Sequence, residues 1–429
     1  MTIGSSTAEA AEVPELPLGD LDLQAPPEQV EPQGPANILA TLIPMMGSMG
    51  VMVFMAFSDP SNPRMLLMGG GMMVAMLGML GFNVYRQVGG HRRKVDTTRR
   101  EYLAYLSDMR KTVRTAASRQ RAYTNWQLPD PRALVLVAEE SSRLWERVPG
   151  ADDALTVRLG SSAQELSMEL HEPEGSAITN WDPVCHSAMR RFVATHSAVD
   201  DLPLGATLGE FSHLELAGDQ QMTRALARAL ICHMATFVPP QTLKIAVLCS
   251  EAAKADWEWL KWLPHVRSEQ DSDSIGQARM VVTDFTQLSD LLGEDITTRS
   301  GFELRGAITP WPQLLLLVDD AELPADTRLG SREGTAGVTV VKLQNSWGAL
   351  TSLTTLRLLL HPAGDEGGRG QMEVVMLDAE PVIAVPDALS VEQAEAVARR
   401  LARWSESEHP DADAPAGRSD PKRAVDLLE

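Results

Sequence analysis

Two long uncharged segments near the start of the chain constrain its fold more than any other feature. They cover residues 36–57 (ANILATLIPMMGSMGVMVFMAF) and 65–85 (MLLMGGGMMVAMLGMLGFNVY). A helix needs about 20 mostly apolar residues to cross about 30 Å of hydrocarbon. The sequence therefore predicts an α/β membrane protein with a two-helix transmembrane hairpin at residues 36–85. The alternative is a helical hairpin buried in a protein core.

Glycines in the second segment predict how the two helices pack. Small residues let helix backbones approach closely in lipid, so Gly70, Gly71, Gly78 and Gly81 are candidate membrane-packing positions. A cluster of arginines and lysines follows this segment, from residue 86 onwards. By the positive-inside rule the protein would lie in the plasma membrane as a two-pass protein with both termini cytoplasmic. The basic cluster would also contact anionic lipid headgroups.

Charge is distributed unevenly along the chain, whose formal net charge is -20. Residues 1–35 are acidic and rich in proline, which predicts a disordered cytoplasmic tail. Residues 86–121 carry eleven basic and three acidic side chains, and residues 86–152 read as a basic helical stalk. This helix either packs on its own domain or offers a face to a partner, and Arg110 and Arg114 are candidate docking residues. The acidic balance of the rest argues against nucleic acid as a partner.

Residues 153–404 alternate between short apolar segments and amphipathic helices. That alternation predicts an α/β domain with a mostly parallel sheet covered on both faces. A polar linker, 405–429, follows and ends in a segment that reads as the start of another helix. The nine histidines and three cysteines show no metal-ligand spacing, so no metal site is predicted. The segment WEWLKWLPH, residues 257–265, is interpreted as packing.

The segment LELAGDQQMTRALARAL, residues 214–230, has the strand, glycine and helix order of a phosphate-binding loop. The motif GxxxxGK[ST] uses backbone amides, a lysine and a hydroxyl to hold phosphates and Mg²⁺. Counted from Gly218, Thr223 replaces the second glycine and Arg224 replaces the lysine. We therefore predict a degenerate RecA/P-loop-like domain. The apolar run LLLLVDDAEL would supply Walker B-like carboxylates at Asp319 and Asp320, or is simply a buried strand that ends in an acidic turn.

Several segments together resemble a known family. They are the two uncharged segments, SSRLWERVP, ALARALICHMATF before LKIAVLCS, DWEWLKWLPHVRS, ARMVVTD, GVTVVKL and LSVEQAEAVARRLARW. In this order they resemble the N-terminal part of EccC, the FtsK/SpoIIIE-type ATPase of type VII (ESX) secretion systems. The resemblance implies three further ATPase domains beyond residue 429, to which ATP and Mg²⁺ would bind. No cofactor is expected in the segment itself.

The resemblance also implies partners and a function. The partners would be EccB, EccE and EccD, with the EccD ubiquitin-like domains on the stalk, in a hexameric motor that exports WXG100 and PE/PPE-type proteins. The predicted function is to anchor this motor and couple it to the membrane channel. Two alternatives are a domain that hydrolyses ATP itself and an FtsK-like DNA translocase.

Overall fold

The computed structural model describes residues 13–29, 63–140, 142–151, 153–173, 181–272, 276–303, 312–364 and 370–404, with single residues 47, 50, 51, 54 and 274. The described residues form two compact units. The larger comprises Arg121–Gln164 and residues from Asp200 onwards, and the smaller comprises residues of Glu15–Gln120 and Glu165–Val199.

The chain forms both strands and helices. The strands are β1 (Gly19–Asp22), β2 (Thr156–Glu165), β3 (Met168–His171), β4 (Ala198–Thr207), β5 (His213–Gly218), β6 (Leu243–Cys249), β7 (Arg267–Ser272), β8 (Gln277–Arg279), β9 (Val281–Val282), β10 (Gln313–Asp319), β11 (Val338–Gln344), β12 (Thr355–His361), β13 (Gln371–Val375) and β14 (Val382–Pro386). The helices are α1 (Pro63–Gln127), α2 (Leu134–Glu139), α3 (Pro183–His196), α4 (Gln220–Phe237), α5 (Lys254–Trp257), α6 (Phe285–Thr297) and α7 (Val391–Leu401).

A ten-stranded sheet forms the centre of the larger unit, in the order β4-β2-β14-β13-β12-β5-β11-β10-β6-β9. Strands β12, β5, β11, β10, β6 and β9 pair in parallel. Strands β12, β13, β14 and β2 pair antiparallel. The sheet is therefore mixed, and the prediction of a mostly parallel sheet is corrected to a sheet with a parallel part and an antiparallel part. Only a few residues of sequence separate β12 from β13 and β13 from β14, and short connections join antiparallel rather than parallel neighbours.

Hydrophobic burial explains why this sheet is stable. Every residue of β6 and β10 is buried, as expected of central strands covered on both faces. Helix α4 has an almost entirely buried second half and packs against β5 and β11. Helix α7 packs on α4, and its N-cap residue Ser390 forms a capping box with Gln393.

The smaller unit combines part of α1 with α3 and a two-stranded parallel sheet of β1 and β3. Asp182 caps α3 by accepting hydrogen bonds from the amides of Val184 and Cys185, both at 3.1 Å. The same carboxylate binds Arg99 of α1 through three contacts of 2.8–3.2 Å. The Tyr102 hydroxyl donates to a backbone carbonyl in the N-terminal segment. These contacts join elements that are distant in sequence.

The predicted transmembrane hairpin is wrong. Residues 65–85, the second predicted span, are the first third of α1, which continues without a break through the predicted stalk to Gln127. No proline interrupts the helix between residues 64 and 127, so nothing ends it at Tyr85. Most of the first predicted span, 36–57, lies outside the described residues. Among the helices that the structure describes, none contains a segment long and apolar enough to cross a membrane. The prediction of a two-pass plasma-membrane protein depends on the hairpin and is therefore also wrong.

Candidate functional site

Strands β5 and β10 bring the predicted nucleotide residues to one edge of the sheet. The two strands lie on either side of β11 and all three run parallel. Strand β5 ends at Gly218 and β10 ends at Asp319. Ligands of open α/β sheets bind outside the carboxyl ends of such strands. This edge is therefore the candidate site, and its side chains decide what it can bind.

The connection from β5 to α4 consists of one residue, Asp219. Helix α4 begins at Gln220, so most of the residues that would form a phosphate loop are already helical. The Asp219 carboxylate accepts a hydrogen bond from the Met222 amide at 2.9 Å, and its carbonyl accepts one from the Thr223 amide at 2.9 Å. A phosphate cradle needs several free amides that point into one cavity. At this position two of those amides are engaged, and a carboxylate occupies the helix N-terminus where an anion would bind.

Gly218 is required by the approach of a neighbouring strand. Its φ is +126°, a region that side chains rarely adopt, and a Cβ at this position would collide with the Leu360 carbonyl oxygen of β12. The close approach of β12 and the positive φ therefore explain why glycine occupies position 218.

Arg224 connects the two halves of the predicted site. Its Nε donates to Asp319 Oδ2 at 2.8 Å and its Nη2 donates to Oδ1 at 3.3 Å. Its Nη1 donates to Asp256 Oδ2 at 2.8 Å. The indole Nε1 of Trp257 donates to Asp319 Oδ2 at 2.9 Å. One guanidinium and one indole thus donate to Asp319, the predicted Walker B-like carboxylate.

This cluster is buried around Asp319 and Trp257, whereas the Asp256 side chain is 34% exposed. Asp319 is 2% exposed, Trp257 is fully buried and the Arg224 side chain is 16% exposed. Burial, followed by the charge of Asp319, raises the pKa of the neighbouring Cys249 thiol to about 11, so Cys249 stays protonated. Because Asp319 is buried and both of its oxygens accept hydrogen bonds from Arg224 or Trp257, most of its acceptor capacity is used within the described cluster.

The remaining predicted residues are placed as follows. The hydroxyl of Thr223, which is buried, donates to the Gln220 carbonyl of its own helix at 3.0 Å. Asp320 is exposed and has a φ of +52°. Both assignments as site residues stay predictions.

The four predicted packing glycines all lie in α1. A Cβ on any of them would meet nothing within 4 Å in the part of the chain that the structure describes; the four are Gly70, Gly71, Gly78 and Gly81. Their predicted role in helix packing stays a prediction.

One group among the described residues has metal-ligand geometry. Asp20 of β1 and Glu169 and His171 of β3 have ligand atoms within 4.8 Å of one another, and all three are exposed. The strand register creates this group by pairing Asp20 with Glu169, so residue spacing could not have revealed it. Exposed groups of this kind are common without an ion, and the cluster is separate from the residues around Arg224.

Sequence reasoning missed two members of the closed cluster, Asp256 and Trp257. Trp257 was interpreted as a packing residue, and its ring is buried. Its hydrogen bond to Asp319 spans 62 residues and depends on the sheet order. The only available signal was that a buried indole N–H usually finds a polar partner.

Comparison with known proteins identifies relatives. No protein-family model matches the sequence. The ESX secretion system protein EccC of Thermomonospora curvata is 33% identical over 415 residues, which cover 94% of this chain and 31% of that protein. The ESX-3 secretion system protein EccC3 of Mycobacterium tuberculosis is 34% identical over 319 residues, which cover 72% of this chain and 23% of that protein. This chain is homologous to the EccC proteins of ESX secretion systems.

The chain spans less than a third of the length of these EccC relatives. One solved structure that matches is the cytoplasmic domain of the Thermomonospora curvata type VII secretion ATPase EccC. The match covers 66% of this chain and 34% of that chain, at 14% sequence identity. The TM-score of that superposition is 0.38, too low for a comparison of the two folds.

Proposed function

We propose that this chain supplies an ATPase-like module that does not hydrolyse nucleotide, and that it couples the motor of an EccC protein to the rest of an ESX secretion complex. The observation that carries the proposal is the closed pair of Arg224 and Asp319. A module that has lost its nucleotide site keeps a rigid sheet that can transmit force or position a partner.

The chemistry of phosphoryl transfer explains why this pair matters. P-loop enzymes hold the β- and γ-phosphates with amides and a lysine, and hold Mg²⁺ with a hydroxyl and a Walker B carboxylate. Here the amides of Met222 and Thr223 are engaged by Asp219, and the carboxylate of Asp319 is engaged by Arg224. Removing one partner of a buried ion pair costs about 3–5 kcal/mol. A nucleotide would have to offset a cost of this order before it could use Asp319.

The homology supports a wider proposal for the whole protein. The chain would correspond to the N-terminal part of an EccC protein whose further domains bind ATP and Mg²⁺ and hydrolyse ATP. The motor would assemble as a hexamer with EccB, EccD and EccE, and would export WXG100 and PE/PPE-type proteins. The smaller unit, which contains most of the basic residues of α1, is the proposed surface for EccD.

Calorimetric titration of Mg·ATP into the 429-residue chain tests the closed site. We expect no saturable heat up to about 1 mM nucleotide. A dissociation constant of about 1 mM corresponds to a binding free energy of about -4 kcal/mol. Asp319→Asn and the matched control Asp320→Asn should behave like the parent chain. Saturable binding by the parent chain would contradict the proposal. Its loss in Asp319→Asn but not in Asp320→Asn would then assign nucleotide to this edge of the sheet.

A further inference from the structure

A groove in the smaller unit lies between α1 and α3. Its volume is about 790 Å³. One wall is the α1 segment from Leu103 to Arg114, and the other is the α3 segment from Pro183 to His196. This feature, the arginine groove, is separate from the residues around Arg224.

Three arginines line the arginine groove: Arg110 and Arg114 from α1 and Arg191 from α3. All three side chains are exposed. Among the described residues, no ion pair joins any of them to a carboxylate, whereas Arg99 and Lys111 of the same helix are paired. Burial, together with the charges of Arg110 and Arg114, lowers the pKa of His196 on the opposite wall. Within the described part of the chain, the groove therefore presents positive charge that no carboxylate neutralises through an ion pair.

Apolar side chains accompany these arginines. Leu106 and Phe192 are each 4% exposed and contribute an apolar floor. Leu103 and Val184 also line the groove, yet they are 43% and 47% exposed. An apolar strip beside unpaired positive charge is the pattern of a groove that receives an amphipathic helix.

We infer that the arginine groove binds an acidic amphipathic helix of another protein in the secretion complex. Such a helix would place its apolar stripe on Leu103, Val184 and Phe192, and its Asp and Glu side chains against the three arginines. The wall from Leu103 to Arg114 is about 17 Å long at 1.5 Å per residue, which matches about three turns of a bound helix. A nucleic-acid backbone would match the charge but would leave the apolar strip uncovered. This partner is defined by its chemistry alone, and its place in a secretion complex rests on the proposed function.

Fluorescence anisotropy with the 429-residue chain tests the inference. The probe is a labelled helical peptide of about 18 residues, or five turns, with leucines on one stripe and glutamates beside it. The control peptide has lysine in place of each glutamate. We expect the glutamate peptide to bind at least about tenfold more tightly than the lysine peptide, and its affinity to fall as salt rises.

Charge-reversal variants locate the binding. The triple variant Arg110→Glu, Arg114→Glu and Arg191→Glu should reverse the preference between the two peptides. A matched triple variant, Arg100→Glu, Arg119→Glu and Arg190→Glu, changes the net charge equally but lies outside the lining of the groove. It should keep at least half of the parent affinity.

The apolar strip has its own test. Replacing Leu103 and Val184 together with Ala should weaken the glutamate peptide about tenfold, and because both side chains are exposed the fold should be retained. The inference is overturned if the glutamate peptide does not bind, if both peptides bind equally, or if the two triple variants lose affinity equally. Equal competition by a single-stranded oligonucleotide would instead indicate a phosphate-binding surface. Peptide binding is measured without nucleotide, so its failure is distinct from a failure of the closed-site proposal.

Discussion

Arg224 and Asp319, which are 95 residues apart in sequence, form a bidentate ion pair with N···O distances of 2.8 and 3.3 Å. The guanidinium also reaches Asp256, so it shares its charge between two carboxylates. Its fork geometry allows this arrangement, which a lysine could not reproduce. Arg224 therefore links Asp319 at the end of β10 to Asp256.

Removing the Asp319 carboxylate should destabilise the fold. Asp319→Ala leaves the Trp257 indole without its acceptor and leaves Arg224 with Asp256 alone, so the free energy of unfolding should fall by about 3 kcal/mol. Urea denaturation measures the change. The control Asp320→Asn alters an exposed carboxylate and keeps a residue that tolerates positive φ, so it should change stability by less than about 0.5 kcal/mol. Equal losses in the two variants would show that the closed cluster does not stabilise the protein.

Glycine substitutions should have opposite effects at two positions. Gly218→Ala forces a Cβ into the Leu360 carbonyl at a φ of +126°, so stability should fall by about 2 kcal/mol or the chain should fail to fold. Gly78→Ala meets nothing within 4 Å in the described part of α1 and should raise helix stability by about 0.5–1 kcal/mol. Thermal unfolding of both variants checks the signs. A neutral Gly218→Ala would contradict the close approach of β12.

A buried histidine should make the fold sensitive to acid. His265 is fully buried, and because its Nε2 lies 2.7 Å from the Val238 carbonyl, that nitrogen carries the proton of the neutral ring. Burial lowers its pKa to about 4, below the ordinary value of about 6.5. Between these values the unfolded chain binds a proton that the folded chain does not, so the folded state loses stability as the pH falls from about 6.5 to about 4. The loss from His265 is about 3 kcal/mol.

His265→Gln tests this effect, because the glutamine amide keeps a donor for the Val238 carbonyl and does not titrate. Urea unfolding across this pH range should show a shallower loss of stability for the variant than for the parent chain. The exposed His361 provides the control, and His361→Gln should retain the parent slope. The mechanism is wrong if His265→Gln and the parent chain lose stability at the same rate.

Local patterns explain which features could be predicted. The capping box at Ser390, the apolar strand before Asp319 and the strand-glycine-helix order at Gly218 each depend on a few neighbouring residues. Asp219 caps α4, so the helix starts at Gln220, two residues after Gly218. The order of strand, glycine and helix in the sequence does not show how close to Gly218 the helix begins.

Long-range relationships account for the predictions that were wrong or missing. The Arg224–Asp319 pair requires β5 and β10 to flank β11, an order that no local pattern encodes. The hairpin prediction rests on the length and lack of charge of residues 36–57 and 65–85. The helix that contains residues 65–85 continues, because no proline separates them from the basic segment.

Restoring the phosphate-loop motif by substitution should fail to restore nucleotide binding. The variant Thr223→Gly, Arg224→Lys and Ala225→Ser carries the residues that the motif requires. Its loop should nevertheless stay helical from Gln220, because Asp219 still caps α4. Calorimetry with Mg·ATP should therefore detect no saturable binding. Adding Asp219→Gly to this variant removes both the cap and its negative charge. If binding appears only with that fourth change, the cap is what closes the site; binding by the triple variant alone would mean that the motif residues, and not the helix start, are limiting.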